Sequence, residues 1–67
     1  MNINKLKGKI VERGLNVEKL AKLIGVDRAT LYRKLNVADT RITIGEATKM
    51  KSVLELTEAE AIEIFFN

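Results

Sequence analysis

Residues Asn16 to Asn36 read NVEKLAKLIGVDRATLYRKLN, and this stretch decides the fold. Two short amphipathic segments flank Gly25-Val26. In the first, Val17, Leu20, Ala21 and Ile24 recur at helical spacing, which predicts a helix over Val17 to Ile24 with Asn16 as its N-cap. Gly25 stops it, because glycine accepts a left-handed conformation at no steric cost. Asp27 caps the second segment, expected to be helical from Arg28 to about Leu35. At about 100° per residue, Leu31 and Leu35 fall on one side and must face a core. Ala29 and Arg33 lie opposite, with Arg28, Thr30, Tyr32 and Asn36 on the flanks.

The same reasoning extends to both ends. Ile3, Leu6, Ile10 and Val11 predict an amphipathic helix from roughly Ile3 to Arg13, ended by Gly14. Val37 to Ile42 reads as a connecting loop. Thr43-Ile44-Gly45-Glu46 is a capping box that opens a helix to about Leu54, with Ile44, Ala47, Met50 and Leu54 inward. Thr57-Glu58-Ala59-Glu60 is a second capping box. It starts a helix through Phe65 whose apolar content is Ala61, Ile62, Phe65 and Phe66. The expected architecture is all-α: one domain over residues 1–67, a compact five-helix bundle with a helix-turn-helix at helices 2 and 3.

Composition narrows the function classes. A chain of 67 residues buries only about 60% of the surface its unfolded form exposes, so the core is small. There is no Cys, hence no disulfide framework and no thiolate zinc site. There is no His, which removes the commonest general base and metal ligand. No nucleophile–base pair can be named, so the chain does not read as an enzyme, and no cofactor or small-molecule ligand is expected. No apolar run approaches the ~18 residues that span a bilayer, and no signal-peptide pattern opens the chain. A cytoplasmic location is expected.

Charge is uneven. Residues 1–41 carry a balance of +6 and residues 42–67 a balance of −3, giving the net +3. The surplus sits with the central pair of helices and suits a polyanion on that side. Lys5, Lys9 and Arg13 recur every four residues as a cationic stripe. Such a stripe is ordinarily a solvated face; its functional use would be for Lys5 or Lys9 to reach a phosphate.

The chemistry of the central segment fits DNA. A helix with small Ala29 on its outer face and long polar arms around it can lie in a major groove. Arginine pairs with guanine O6 and N7, and Thr30 or the Ala29 methyl can touch a thymine methyl. Tyr32 can donate to a phosphate, and the first-turn N–H groups can meet another.

Leu20-Ala21, Ile24-Gly25-Val26, Ala29-Thr30-Leu31 and Arg33 together resemble the pattern of the Cro and phage-repressor helix-turn-helix family. The segment Ile44-Gly45-Glu46-Ala47 through Leu54-Glu55-Leu56-Thr57 to Ile64-Phe65-Phe66 is similar to the last two helices of short phage and prophage regulators. The resemblance covers nearly the whole chain and implies a lambda-repressor-like DNA-binding domain. It implies base reading by Arg28, Ala29, Tyr32 and Arg33. It implies phosphate contacts at Asp27, Asn36 and Arg41, to which Thr30 and the cations Lys5 and Lys9 are added as further phosphate candidates.

Three departures stand out. The first residue of the second helix, often a phosphate-binding Gln, is Val17. Asp27 stands where Ser or Thr is usual. A late apolar anchor commonly sits one position before Leu35, where this chain has Lys34, and the placement of Arg33 depends on how that difference is absorbed. At the C-terminus, Ile62 and Phe65 are expected to close the core, leaving Ile64 and Phe66 as the candidate dimer contact. The expected function is a sequence-specific transcriptional regulator that binds a double-stranded operator, as a homodimer, in a bacterial cell or phage-infected host. The alternative is a protein-interaction module of the same fold, antirepressor-like, that binds another regulator.

Overall fold

A computed structural model describes residues 1–36 and 42–66. Among them are five helices: α1 (Ile3–Glu12), α2 (Val17–Ile24), α3 (Arg28–Asn36), α4 (Ile44–Val53) and α5 (Glu58–Phe65). No strand occurs among the described residues. The expected Val37–Ile42 connection lies outside them, except for Ile42, which packs against the core.

Each helix begins on a residue whose side chain accepts an otherwise unpaired first-turn N–H. Asn2 accepts from Lys5 N, and Asn16 accepts from Lys19 N. Thr43 and Thr57 open complete capping boxes with Glu46 and Glu60. The helix ends are equally systematic. Gly14 (φ 70°) and Gly25 (φ 76°) are left-handed. Beyond them Leu15 N donates to Ile10 O and Val26 N to Ala21 O, so an apolar residue folds back over each helix end. The end of α4 repeats this geometry with Glu55 (φ 53°) in the left-handed position and Leu56 N donating to Lys51 O.

The core comprises Leu6, Ile10, Leu20, Ala21, Ile24, Leu31, Leu35, Met50, Leu54, Leu56 and Ile64. Fully buried side chains of this kind stabilise by about 1.5–3 kcal/mol each, against ~0–1 for an exposed ion pair. The core therefore sets stability, and α2 sits at its centre, packed on both α3 and α4. Leu31 and Leu35 lock the inner side of α3, as their spacing predicts.

Several inward assignments are corrected. Val11 is 74% exposed and Ile44 81% exposed. Ile44 is the first residue of α4, a turn ahead of the part that meets the core. On α5, Ile64 is fully buried, whereas Ile62 and Phe66 are exposed. Ile64 is thus a core residue and not a surface contact, and Ile62 takes the exposed place expected of it. Phe65 packs on the core edge as expected.

Candidate nucleic-acid interface

Two helix starts converge on one side of the molecule. The turn at Gly25–Val26 carries the chain from α2 into α3, and Asp27 closes the start of α3. From that start Arg28, Ala29, Tyr32, Arg33 and Asn36 are exposed, and Thr30 is half-buried. Between the first turn of α2 and α3 lies a shallow recess of about 380 Å³, lined by Val17, Glu18, Arg28, Ala29 and Tyr32. Arg28 Nη1 sits 3.3 Å from the Glu18 carboxylate, which ties the two helix starts together across the recess. Arg33 projects with no ion-pair partner among the described residues.

The shift from the usual apolar anchor to Lys34 is absorbed by charge. Lys34 Nζ donates to both carboxylate oxygens of Glu46 at 2.8 and 2.9 Å, with both side chains largely covered. Glu46 also accepts from Thr43 N at 2.9 Å. Burial pushes the Glu46 carboxyl up, but the hydrogen bonds from Lys34 and Thr43 outweigh it, and its pKa lies below the ordinary value. Leu35 remains in the core, so Arg33 stays on the outer face.

Among the described residues, an exposed central helix starts beside the start of its predecessor with a glycine turn between, the arrangement of a helix-turn-helix. Residues 5–66 match the family model of the Cro/C1-type HTH DNA-binding domain. The chain belongs to the Cro/C1-type helix-turn-helix DNA-binding family. No curated protein and no solved structure matches it. This Cro/C1-type domain is a DNA-binding domain whose partner is double-stranded DNA.

The structure brings Arg28, Ala29, Tyr32 and Arg33 together on the exposed side of α3. The Asp27 carboxylate accepts from Ala29 N (3.0 Å) and Thr30 N (3.3 Å). It occupies the first-turn donors that a phosphate would use, so Asp27 is a cap whose side chain offers DNA no donor. Asn36 donates from Nδ2 to Tyr32 O at 2.7 Å, which leaves one amide hydrogen for a phosphate. Arg41 lies outside the described residues.

The cationic stripe on α1 faces elsewhere. Lys5 pairs with Glu63 at 2.5 Å, and Lys9 pairs with Glu60 and Glu12. Arg13 donates from Nε to Leu54 O at 2.8 Å and pairs with Glu55. Lys5 and Lys9 therefore clasp α1 to α5, and Arg13 caps the end of α4. Lys5 and Lys9, expected as supplementary phosphate contacts, hold their ammonium groups against carboxylates in this structure. The cation that α1 does bring to α3 is Lys7, whose Nζ donates to Asn36 Oδ1 at 3.0 Å. Lys7 lies off the stripe, and nothing in the sequence points from it to a residue 29 positions away. Glu18 was equally hidden, because its pairing with Arg28 depends on the angle between two helices.

No helix among the described residues is long and apolar enough to cross a membrane.

Proposed function

We propose that residues 1–67 form a single domain that acts as a sequence-specific transcriptional regulator of the Cro or repressor type, from a phage or prophage, reading an operator in the major groove. One observation carries this reading. Arg28, Ala29, Tyr32 and Arg33 share the exposed face of α3 while Leu31 and Leu35 hold its other side in the core. Ala29 lets the helix approach closely, and the arginines carry the donors that pair with guanine. Phosphate contacts fall to Tyr32, Thr30, the remaining Asn36 amide hydrogen, Arg41 and Lys7. The domain works in the cytoplasm.

One copy offers few base contacts, so useful affinity comes from two copies on a two-fold operator, with half-site centres ~10 bp or a multiple apart. The exposed Ile62 and Phe66, four residues apart at the end of α5 and its C-cap, support a self-contact there.

Selection of bound sequences from a random DNA pool tests the reading. A two-fold motif is expected. An unenriched pool would overturn it and favour a module that binds another regulator.

A further inference from the structure

Glu18 is out of place on a surface that meets a polyanion. Its carboxylate is half exposed, lines the recess between the two helix starts, and lies 3.3 Å from Arg28 Nη1. Asp27, the other acid at this turn, is folded back onto the N–H groups of Ala29 and Thr30, so it does not compete for the space. An ion pair this exposed adds little to stability. Against phosphates it is a liability, since the carboxylate repels them and neutralises an arginine that would attract them. An acid in the first turn of α2 suits the positive end of that helix, and a carboxylate on this face can also accept a hydrogen bond from DNA.

The donor pattern shows which. A guanidinium presents two parallel N–H donors, and the carboxylate beside it presents an acceptor. Side by side at 3.3 Å, the pair offers two donors and an acceptor. The major-groove edge of a G·C pair reads acceptor, acceptor, donor: guanine N7, guanine O6 and the cytosine N4 amino group. Nη1 carries two hydrogens, so one can stay on Glu18 while the other meets guanine. The small Ala29 side chain beside Arg28 leaves room for the base edge to approach.

We propose that Glu18 is a specificity-determining residue. With Arg28 it reads one whole G·C pair, Arg28 donating to guanine N7 and O6 and Glu18 accepting from the cytosine N4 amino group. An A·T pair sets its N6 amino group against an arginine donor and leaves the carboxylate without a partner. This inference rests on the DNA-binding reading above and names one base pair of its target.

The test is random-pool selection run in parallel on the wild-type chain, Glu18→Ala and Glu18→Gln, with circular dichroism to verify the fold of each. The expected wild-type motif holds one G·C pair per half-site that Glu18→Ala relaxes about tenfold while the remaining positions keep their preferences. Glu18→Gln, which retains one acceptor oxygen, keeps most of that preference. An unchanged motif in Glu18→Ala would overturn the assignment. So would a uniform gain of affinity on every sequence, which would mean that Glu18 merely repels phosphates. A wild-type pool with no motif would instead sink the DNA-binding reading, and this inference with it.

Discussion

Lys34 and Glu46 form a two-pronged, largely covered ion pair that joins α3 to the capping box of α4, with Nζ 2.8 and 2.9 Å from the two carboxylate oxygens. The pair stands where this fold commonly places an apolar anchor. Glu46→Gln keeps an acceptor for Thr43 N but removes the charge and one of the two oxygens that accept from Lys34. It is expected to cost about 1–2 kcal/mol in urea unfolding, less than the 3–5 of a fully buried pair because both groups keep some water. Adding Lys34→Met should recover part of that loss, since a methionine there restores an apolar contact. A double variant no more stable than Glu46→Gln would show that the position has no apolar surroundings to use.

The clasp between α1 and α5 predicts a pH dependence. Hydrogen bonds from Lys9 and Thr57 hold the Glu60 carboxyl down to about 2. Hydrogen bonds to Glu60 and Glu12 raise the Lys9 ammonium above its ordinary value. A depressed carboxyl contributes stability above its unfolded value of ~4.3 and loses it as pH falls toward the folded value. A raised ammonium contributes fully below its unfolded value and loses that contribution as pH rises through the folded one. The melting temperature should therefore drop between about pH 4 and 2. Glu60→Gln should flatten that limb, and an unaltered acid limb in the variant would mean that the clasp is not formed in solution.

Arg33 is expected to read a base. Arg33→Ala should cost about 1–3 kcal/mol on the best operator and relax the preference at one base pair. The measurement is a gel-shift series over single-base operator variants. Equal losses on every variant would reassign Arg33 to a phosphate.

Lys7 and Lys5, two positions apart, should behave oppositely. Lys7→Gln is expected to weaken binding evenly across sequences and lower the slope of log affinity against log salt by about one. Lys5→Gln should leave that slope unchanged, because its charge is directed at Glu63. Fluorescence anisotropy between about 50 and 200 mM salt separates the two.

Phe66→Ser should shift operator binding from cooperative to stepwise if α5 supplies the self-contact, as read by sedimentation or by the shape of the binding curve. A fully cooperative curve in the variant would place the contact elsewhere.

The helix boundaries were legible because caps are local: Asn16, Thr43, Thr57, Gly14 and Gly25 act within four residues of themselves. The exposed side of α3 was legible because Leu31 and Leu35 fix the helix's orientation. On α5 the apolar residues run almost all round the helix, so periodicity could not tell Ile62 from Ile64. The neighbours decided, burying Ile64 and leaving Ile62 outside. The Lys5, Lys9 and Arg13 stripe misled for a related reason. Its partners Glu63, Glu60 and Glu55 lie more than 40 residues downstream, and spacing within one helix carries no trace of them. Much of the charge contrast between the chain's two halves is thus consumed inside the fold.

The main-chain hydrogen bond from Asn2 N to Ile64 O, 2.7 Å long, fastens the residue that caps the first helix to the last turn of the fifth. During synthesis α1 leaves the ribosome before the other four helices, yet the groups that seat it belong to residues 54 to 64. The part of the domain made first must wait for the part made last. A ribosome stalled inside α5 would hold an exposed Leu6 and Ile10, a nascent chain without its closing piece.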